Sequence, residues 1–473
     1  MAAALLIDFG STYTKLRAVD LDAAEVLGAG QGPSTVESDV TIGLEAGLAD
    51  LEARLGGLPE FRYRLAASSA AGGLRMATVG LVKELTGEAA RQAALGAGAK
   101  LVGTFAYELT GGDVAEIEAL APDILLLAGG TDGGNKEVIL ANGALLADAA
   151  LDCPVIVAGN RNAAAEVERR LAEAGKTAIM AENVMPEFGE LNIEPARAAI
   201  RQVFIDRIVH AKGIDKAAGS FDRVLMPTPA AVLEGARLLS QGTEGRDGLG
   251  PLLVIDVGGA TTDVHSISSG ASTRDDVVVQ GLPEPLVKRT VEGDLGMRIN
   301  AAATVEAAGV DRVAADAGLE PEKVTELVGR LVGEIERLPE TPDEAALDRA
   351  LARAAVRLAA ARHAGTVKTV HTPTGPVQVQ RGKDLTEVAA VIGTGGVLVH
   401  GADAGSVLEA ACADAVDPLS LRPRAPRLLI DRDYLLFACG LLAEVEPQAA
   451  FDLARGGLDG DREEVAGERQ SIA

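Results

Sequence analysis

Leu6-Ile7-Asp8-Phe9-Gly10-Ser11-Thr12-Tyr13-Thr14-Lys15 decides the reading of this chain, because its grammar returns as Leu253-Val254-Ile255-Asp256-Val257-Gly258-Gly259-Ala260-Thr261-Thr262-Asp263. Each copy is an apolar strand ending in an acid, then a glycine, then hydroxyl-bearing residues. Gly10 lets a backbone approach phosphate closely, and Ser11 and Thr12 offer amide and hydroxyl donors. Asp8 at the strand end suits hydrated Mg, and Lys15 adds a point charge. One such hairpin is equally a plain turn. Acids at 8 and 256, an offset of 248, point instead to two phosphate hairpins, the second carrying Gly258, Gly259, Thr261 and Thr262.

Two further stretches extend the pattern. Val391-Ile392-Gly393-Thr394-Gly395-Gly396 reads as a buried strand entering a glycine turn, against which an adenosine can lie. Val291-Glu292-Gly293-Asp294-Leu295-Gly296-Met297-Arg298 reads as a helix start, with Gly293, Asp294 and Arg298 reaching the ribose side. A structural helix start is the competing reading of that segment.

The whole chain bounds these readings. At 473 residues it exceeds one ordinary core, so two or three domains are expected. A net charge of -25 without a Lys/Arg cluster argues against a general nucleic-acid binder. Cys153, Cys412 and Cys439 are scattered, which speaks against a zinc site or disulfide framework. No apolar run approaches the roughly 20 residues of a membrane span, and the start Met1-Ala2-Ala3-Ala4 has no basic segment, so a cytoplasmic protein is expected.

Short β-rich runs alternate with Ala- and Leu-rich stretches, the pattern of α/β layers. Leu5 to Asp8, Lys15 to Asp20 and Glu25 to Ala29 read as strands, followed by a helix near Ile42 to Leu55 and a strand near Tyr63 to Ala67. Strands at Lys100 to Phe105, Asp123 to Ala128, Pro154 to Ala158 and Thr177 to Ala181 then form regular units. The expected organisation is a first lobe over 1–97, an inserted Rossmann-like domain over 98–190, and a return to the first lobe over 191–250. A second lobe over 251–425, a connecting helix over 426–455 and a frayed tail over 456–473 complete it.

The ordered motifs resemble the actin, hexokinase and heat-shock-chaperone superfamily. Pro227-Thr228-Pro229-Ala230-Ala231-Val232 and Phe437-Ala438-Cys439-Gly440-Leu441-Leu442 are similar to its two connecting helices. The resemblance implies a two-lobed, actin-like (ribonuclease H-like) α/β ATPase fold closing on ATP and Mg. It further implies that Asp8 and Asp263 position hydrated Mg while Asp256 orients the attacking water. One departure is Met226, which stands where the chaperone members carry a Glu before the first connecting helix.

Longer strings narrow the family. Asp8 to Lys15, Ala128 to Lys136, Thr290 to Arg298 and Asp431-Arg432-Asp433-Tyr434 together resemble the glutamate mutase accessory family called MutL or GlmL. That resemblance implies a protein partner, the subunits of an adenosylcobalamin-dependent carbon-skeleton mutase, with ATP driving exchange of damaged cobalamin and the inserted domain binding the client. A small-molecule kinase is the alternative. An iron–sulfur electron activator has poor support from scattered cysteines. Gly129-Gly130-Thr131-Asp132-Gly133-Gly134 is either an anion-binding turn or a tight βα turn. Asp263-Val264-His265 only brushes a cobalamin-ligating motif, since Ser268 replaces its closing glycine.

Overall fold

In the computed structural model the described residues are 2–10, 13–35, 39–68, 74–209, 221–373, 375–401, 403–414 and 417–459. The chain forms two compact units, Met1–Glu234 with Phe437–Ala450, and Gly235–Leu436 with Phe451–Ala473.

The first unit begins with β1 (Ala3–Phe9), β2 (Tyr13–Asp20), β3 (Glu25–Pro33), α1 (Val40–Leu55) and β4 (Phe61–Ser68). β1 is buried at every position, so its near-continuous apolar run needs cover on both faces. Helix α1 starts where the Asp39 carboxylate accepts from Thr41 N at 3.0 Å and ends at Gly56, whose φ of 73° closes the last turn. It crosses β3 closely, since a Cβ on Gly30 would sit 2.3 Å from the Gly47 carbonyl oxygen.

A second sheet follows from β5 (Arg75–Gly80), α2 (Glu88–Gly96), β6 (Lys100–Ala106), α3 (Gly111–Leu120), β7 (Ile124–Leu127), α4 (Glu137–Asp148), β8 (Val155–Val157), α5 (Arg161–Glu173) and β9 (Ala178–Met180). Its strands pair parallel in the order β6-β5-β7-β8-β9, the Rossmann-like insert. The strand pattern gave four of the five. β5, between β6 and β7, was missed, and the expected boundary at 98 falls between α2 and β6. In β7, Ile124 and Leu126 join a core containing Leu5 and Ile7 of β1, while Leu125 and Leu127 join a core of α4 and α5 residues. The insert therefore shares one core with the first sheet.

The chain returns through α6 (Glu194–Val203), which continues as a π-helical turn to Val209, then β10 (Arg223–Pro227) and α7 (Thr228–Gln241). The first sheet has the order β10-β4-β1-β2-β3, with β1, β2 and β3 antiparallel and β4 and β10 added parallel.

The second unit begins at Gly235 within α7 and continues with the small pair β11 (Gly242–Thr243) and β12 (Arg246–Asp247), then β13 (Leu252–Val257), β14 (Thr262–Ile267), β15 (Val277–Val279) and β16 (Val287–Glu292). Helices α8 (Ala301–Ala308), α9 (Val310–Ala317), α10 (Pro321–Gly333) and α11 (Pro342–His363) precede β17 (Thr366–Thr372), β18 (Gly375–Arg381) and β19 (Ala390–Thr394). The chain ends its described part with α12 (Gly396–His400), α13 (Ala404–Glu409), β20 (Arg427–Asp431), α14 (Leu436–Leu442), α15 (Pro447–Gly456) and β21 (Leu458–Asp459), of which Phe437–Ala450 belongs to the first unit. The main sheet runs β16-β14-β13-β19-β20-β21. Its first five strands repeat the order and directions of the first sheet, so each unit carries a ribonuclease H-like sheet and the fold is actin-like α/β.

Two expectations change. Residues 291–298 are not a helix start: β16 runs to Glu292, turns follow, and α8 begins at Ala301. The turns are fixed by the Thr304 hydroxyl, which accepts from Gly296 N at 2.9 Å. The segment from Gly456 is ordered at its start, because Leu458 pairs with Asp431 and is 1% exposed. Residues 460–473 lie outside the described residues.

Candidate functional site

The two quoted hairpins have one geometry. In the first, Asp8 faces Lys15 across the strands and Gly10 N donates to Tyr13 O at 3.1 Å; in the second, Asp256 faces Asp263 and Gly258 N donates to Thr261 O at 2.9 Å. A side chain does not fit at either glycine. A Cβ would lie 2.6 Å from Tyr13 O at Gly10 and 2.9 Å from Thr261 O at Gly258. Ser11 and Thr12 lie outside the described residues.

In the first hairpin Asp8 is 6% exposed and accepts from the Thr228 hydroxyl at 2.5 Å, at the start of α7. Burial pushes its carboxyl above the usual carboxylate range, while Lys15, the Thr228 bond and Arg17 pull the other way. A cation at Asp8 would favour the charged form that burial opposes.

In the second hairpin the facing residue is an acid rather than a lysine. Asp263 Oδ2 accepts from Arg289 Nη2 at 2.9 Å, with the two side chains 16% and 4% exposed. Its Oδ1 is buried without a hydrogen-bond partner. His265, one pair further along the same sheet face, is fully buried and pushed down to about 3, by burial first and then by Arg289, so its ring is neutral. Thr262 is turned inward, its hydroxyl donating to Leu295 O at 2.9 Å.

The glycine turn after β19 meets this hairpin. Gly395 has φ 95°, and a Cβ there would sit 2.4 Å from Val257 O and 2.8 Å from Asp256 Oδ1. Thr394 faces Asp256 in the ladder, and its hydroxyl donates to Asp431 Oδ2 at 3.5 Å. Asp431 in turn accepts from Leu435 N at 2.7 Å and Leu436 N at 3.2 Å, which caps the entry to α14. Gly393 is packed beneath Leu398 and Leu408, while Gly396 opens α12.

The turns after β16 are committed elsewhere. Arg298 makes a two-pronged pair with Asp348 at 3.0 and 2.7 Å and also donates to Arg337 O and Met297 O. Asp294 is held by both Arg362 Nη atoms at 2.6 and 2.8 Å, which keeps its carboxyl below the usual range. Gly293 has open space beside it. The backbone of this loop docks on the hairpin turn, Met297 N donating to Gly258 O and Arg298 N to Gly259 O.

Among the described residues no three His, Cys, Asp or Glu gather into a metal cage. The buried, unpartnered Asp263 Oδ1 beside Asp256 supplies hard oxygen donors, which fits Mg, an ion commonly held by one or two carboxylates with water and phosphate. The Gly129 to Gly134 loop is satisfied internally. Asp132 accepts from Arg161 N and Asn183, and the Asn160 amide donates to Gly134 O and Asn135 O, so it reads as a fixed βα turn. No helix among the described residues is long and apolar enough to cross a membrane.

Sequence reading missed Arg289 and the role of Thr228. Thr228 lay inside the quoted connecting-helix string, but its reach to Asp8 spans 220 residues. Arg289 gave only an alternating strand pattern.

The family model described as MutL protein matches residues 4–458. Protein MutL of Clostridium tetanomorphum is 46% identical over 456 residues, covering 96% of this chain and 99% of that protein. A xylulose kinase from Bifidobacterium adolescentis aligns over 96% of this chain and 93% of its own at 12% identity, with a TM-score of 0.32. An acetate kinase from Porphyromonas gingivalis covers 94% and 99% at 12% identity, with a TM-score of 0.31. At those scores the two kinases add nothing to the topology above. The match over nearly the whole length, with both hairpins inside it, makes this chain a member of the MutL protein family.

Proposed function

We propose that this chain is an ATP-hydrolysing accessory protein that reactivates an adenosylcobalamin-dependent carbon-skeleton mutase of the glutamate mutase kind, driving exchange of damaged cobalamin for intact cofactor. The observation that carries the nucleotide half is the doubled hairpin, with an acid two residues before a glycine that tolerates no side chain in either copy. Membership of the family supports the mutase half.

In this reading Gly10, Ser11, Thr12 and Lys15 of the first unit serve phosphate, as do Gly258, Gly259 and Thr261 of the second, while Thr262 acts indirectly through its inward bond to Leu295 O. Asp8 and Asp263 hold hydrated Mg, and Asp256 orients the water. Gly393 to Gly396 take the adenosine. Bound Mg neutralises charge on the transferring phosphoryl group. Gly293 lines the ribose side through its backbone, whereas Asp294 and Arg298 act indirectly, by fixing the loop on which Gly293 sits. The insert contacts the client, and nucleotide state biases the client only through its differential affinity for the two states.

The test is direct. Inactivated mutase incubated with this protein, ATP and Mg should release bound cobalamin and regain activity, and a non-hydrolysable analogue should not support repeated rounds. If cobalamin exchange is equal with and without the protein and ATP, the reading fails and a small-molecule kinase becomes the leading alternative.

A further inference from the structure

The two hairpins differ in charge at the residue that faces the strand-end acid. Asp8 faces a lysine, whereas Asp256 faces Asp263, an acid directly opposite on the same sheet face. Facing positions of this kind bring Cβ atoms to about 5 Å, where like charges repel. The sheet answers with Arg289, whose register partner is His265 and whose Nη2 reaches Asp263 Oδ2 at 2.9 Å. At 4% exposure the guanidinium has little water to screen it.

We propose that Arg289 is the built-in counter-charge of the Asp256/Asp263 pair, which keeps the pair from capturing a divalent cation by itself and so makes the ion enter with the nucleotide phosphates. Arg289 offsets the charge of the Asp263 carboxylate with which it pairs. It also occupies one oxygen of Asp263, whose Oδ1 is buried without a hydrogen-bond partner. Without Arg289, both oxygens and the charge of Asp263 meet an ion without that competitor. Arg289 is thus a positioning residue that acts through Asp263. The ordering of ion and nucleotide rests on the ATP reading, whereas suppression of ion binding by Arg289 does not.

The experiment therefore uses Mn²⁺ alone, titrated into the full-length chain without nucleotide and followed by the loss of the free-ion resonance signal. The wild type should show no saturable site below about 1 mM, the weak end of carboxylate sites. Arg289→Met should bind one Mn²⁺ about tenfold more tightly or better, and its melting temperature should rise with added Mn²⁺. Arg289→Lys, which keeps the charge, should behave as wild type. The double variant Arg289→Met/Asp263→Asn should lose the gain. If Arg289→Met does not fold, Arg289→Gln is held to the same criterion. A tight site in the wild type, no gain in the neutral variants, or a gain that survives Asp263→Asn overturns the proposal. Failure of the wild type to bind Mg-ATP defeats the ATP reading and leaves the Mn²⁺ result standing.

Discussion

The Thr228 hydroxyl donates to Asp8 Oδ1 at 2.5 Å and ties the end of β1 to the first residue of α7. Both residues belong to one compact unit, so the bond fixes the acid of the first hairpin against the start of the helix along which the chain leaves that unit. Thr228→Val keeps the shape and removes the donor. It should destabilise the protein by about 1–3 kcal/mol, the cost of leaving a buried acceptor unsatisfied, and Thr228→Ser should recover most of it. Urea midpoints of the three proteins check this.

Asp8 also sets a pH dependence. Burial raises its carboxyl in the folded state, so the fold favours the protonated form. The stability this contributes is complete below the ordinary value of 3.8 and is lost as pH rises through the folded value. Asp8→Asn is permanently neutral. In the absence of cations its melting temperature should exceed that of the wild type at neutral pH, and the gap should narrow towards about pH 4. The same variant should lose Mg-dependent ATP binding, trading function for stability.

Arg298 gives the clearest contrast between a ligand role and a structural one. Its pair with Asp348 has side chains 14% and 13% exposed, and the guanidinium donates four hydrogen bonds within the protein. Arg298→Ala strands the Asp348 carboxylate and should cost about 3 kcal/mol. ATP affinity of the folded fraction should change less than threefold. A large loss of ATP affinity with stability intact would return Arg298 to the ribose.

Local chemistry explains what was legible. Leu5 to Asp8 and Leu253 to Asp256 are apolar runs closed by an acid and a glycine, and that grammar needs no distant partner to be seen. β5, Arg75-Met76-Ala77-Thr78-Val79-Gly80, has one β-branched apolar residue and no alternation, yet lies between β6 and β7 because both faces are covered. Residues 291–298 resemble a helix start only until Thr304 and the hairpin carbonyls claim their amides. Thr228 with Asp8 and Arg289 with Asp263 are tertiary meetings that no periodicity announces.

The shared core also revises how the insert can be tested. Regular strand-helix units over 98–190 invite deletion of Lys100 to Thr177 as a separate module. Ile124, Leu126 and Ile156, however, pack in one cluster with Leu5, Ile7 and Phe9. Excision would strip cover from β1, and buried side chains of this size lose about 2–5 kcal/mol each when truncated. The deletion should therefore lack a cooperative melt by circular dichroism. A surface change such as Phe188→Asp, at a side chain 79% exposed, should leave melting unchanged and is the fair probe of client contact.

Asp256 separates turnover from binding. It sits at the end of β13, faces both Asp263 and Thr394 in the ladder, and lies against Gly395, the turn assigned to adenosine. If it orients the attacking water, its charge matters in the transition state and little in the ground state. Asp256→Asn keeps the shape and removes the charge. Hydrolysis should slow by about 10²-fold or more, while ATP affinity, read by equilibrium titration, should change by less than about tenfold. Reactivation of the mutase should fall with hydrolysis rather than with binding. Equal loss of affinity and turnover would make Asp256 part of the nucleotide cradle and move the water-orienting role to another residue.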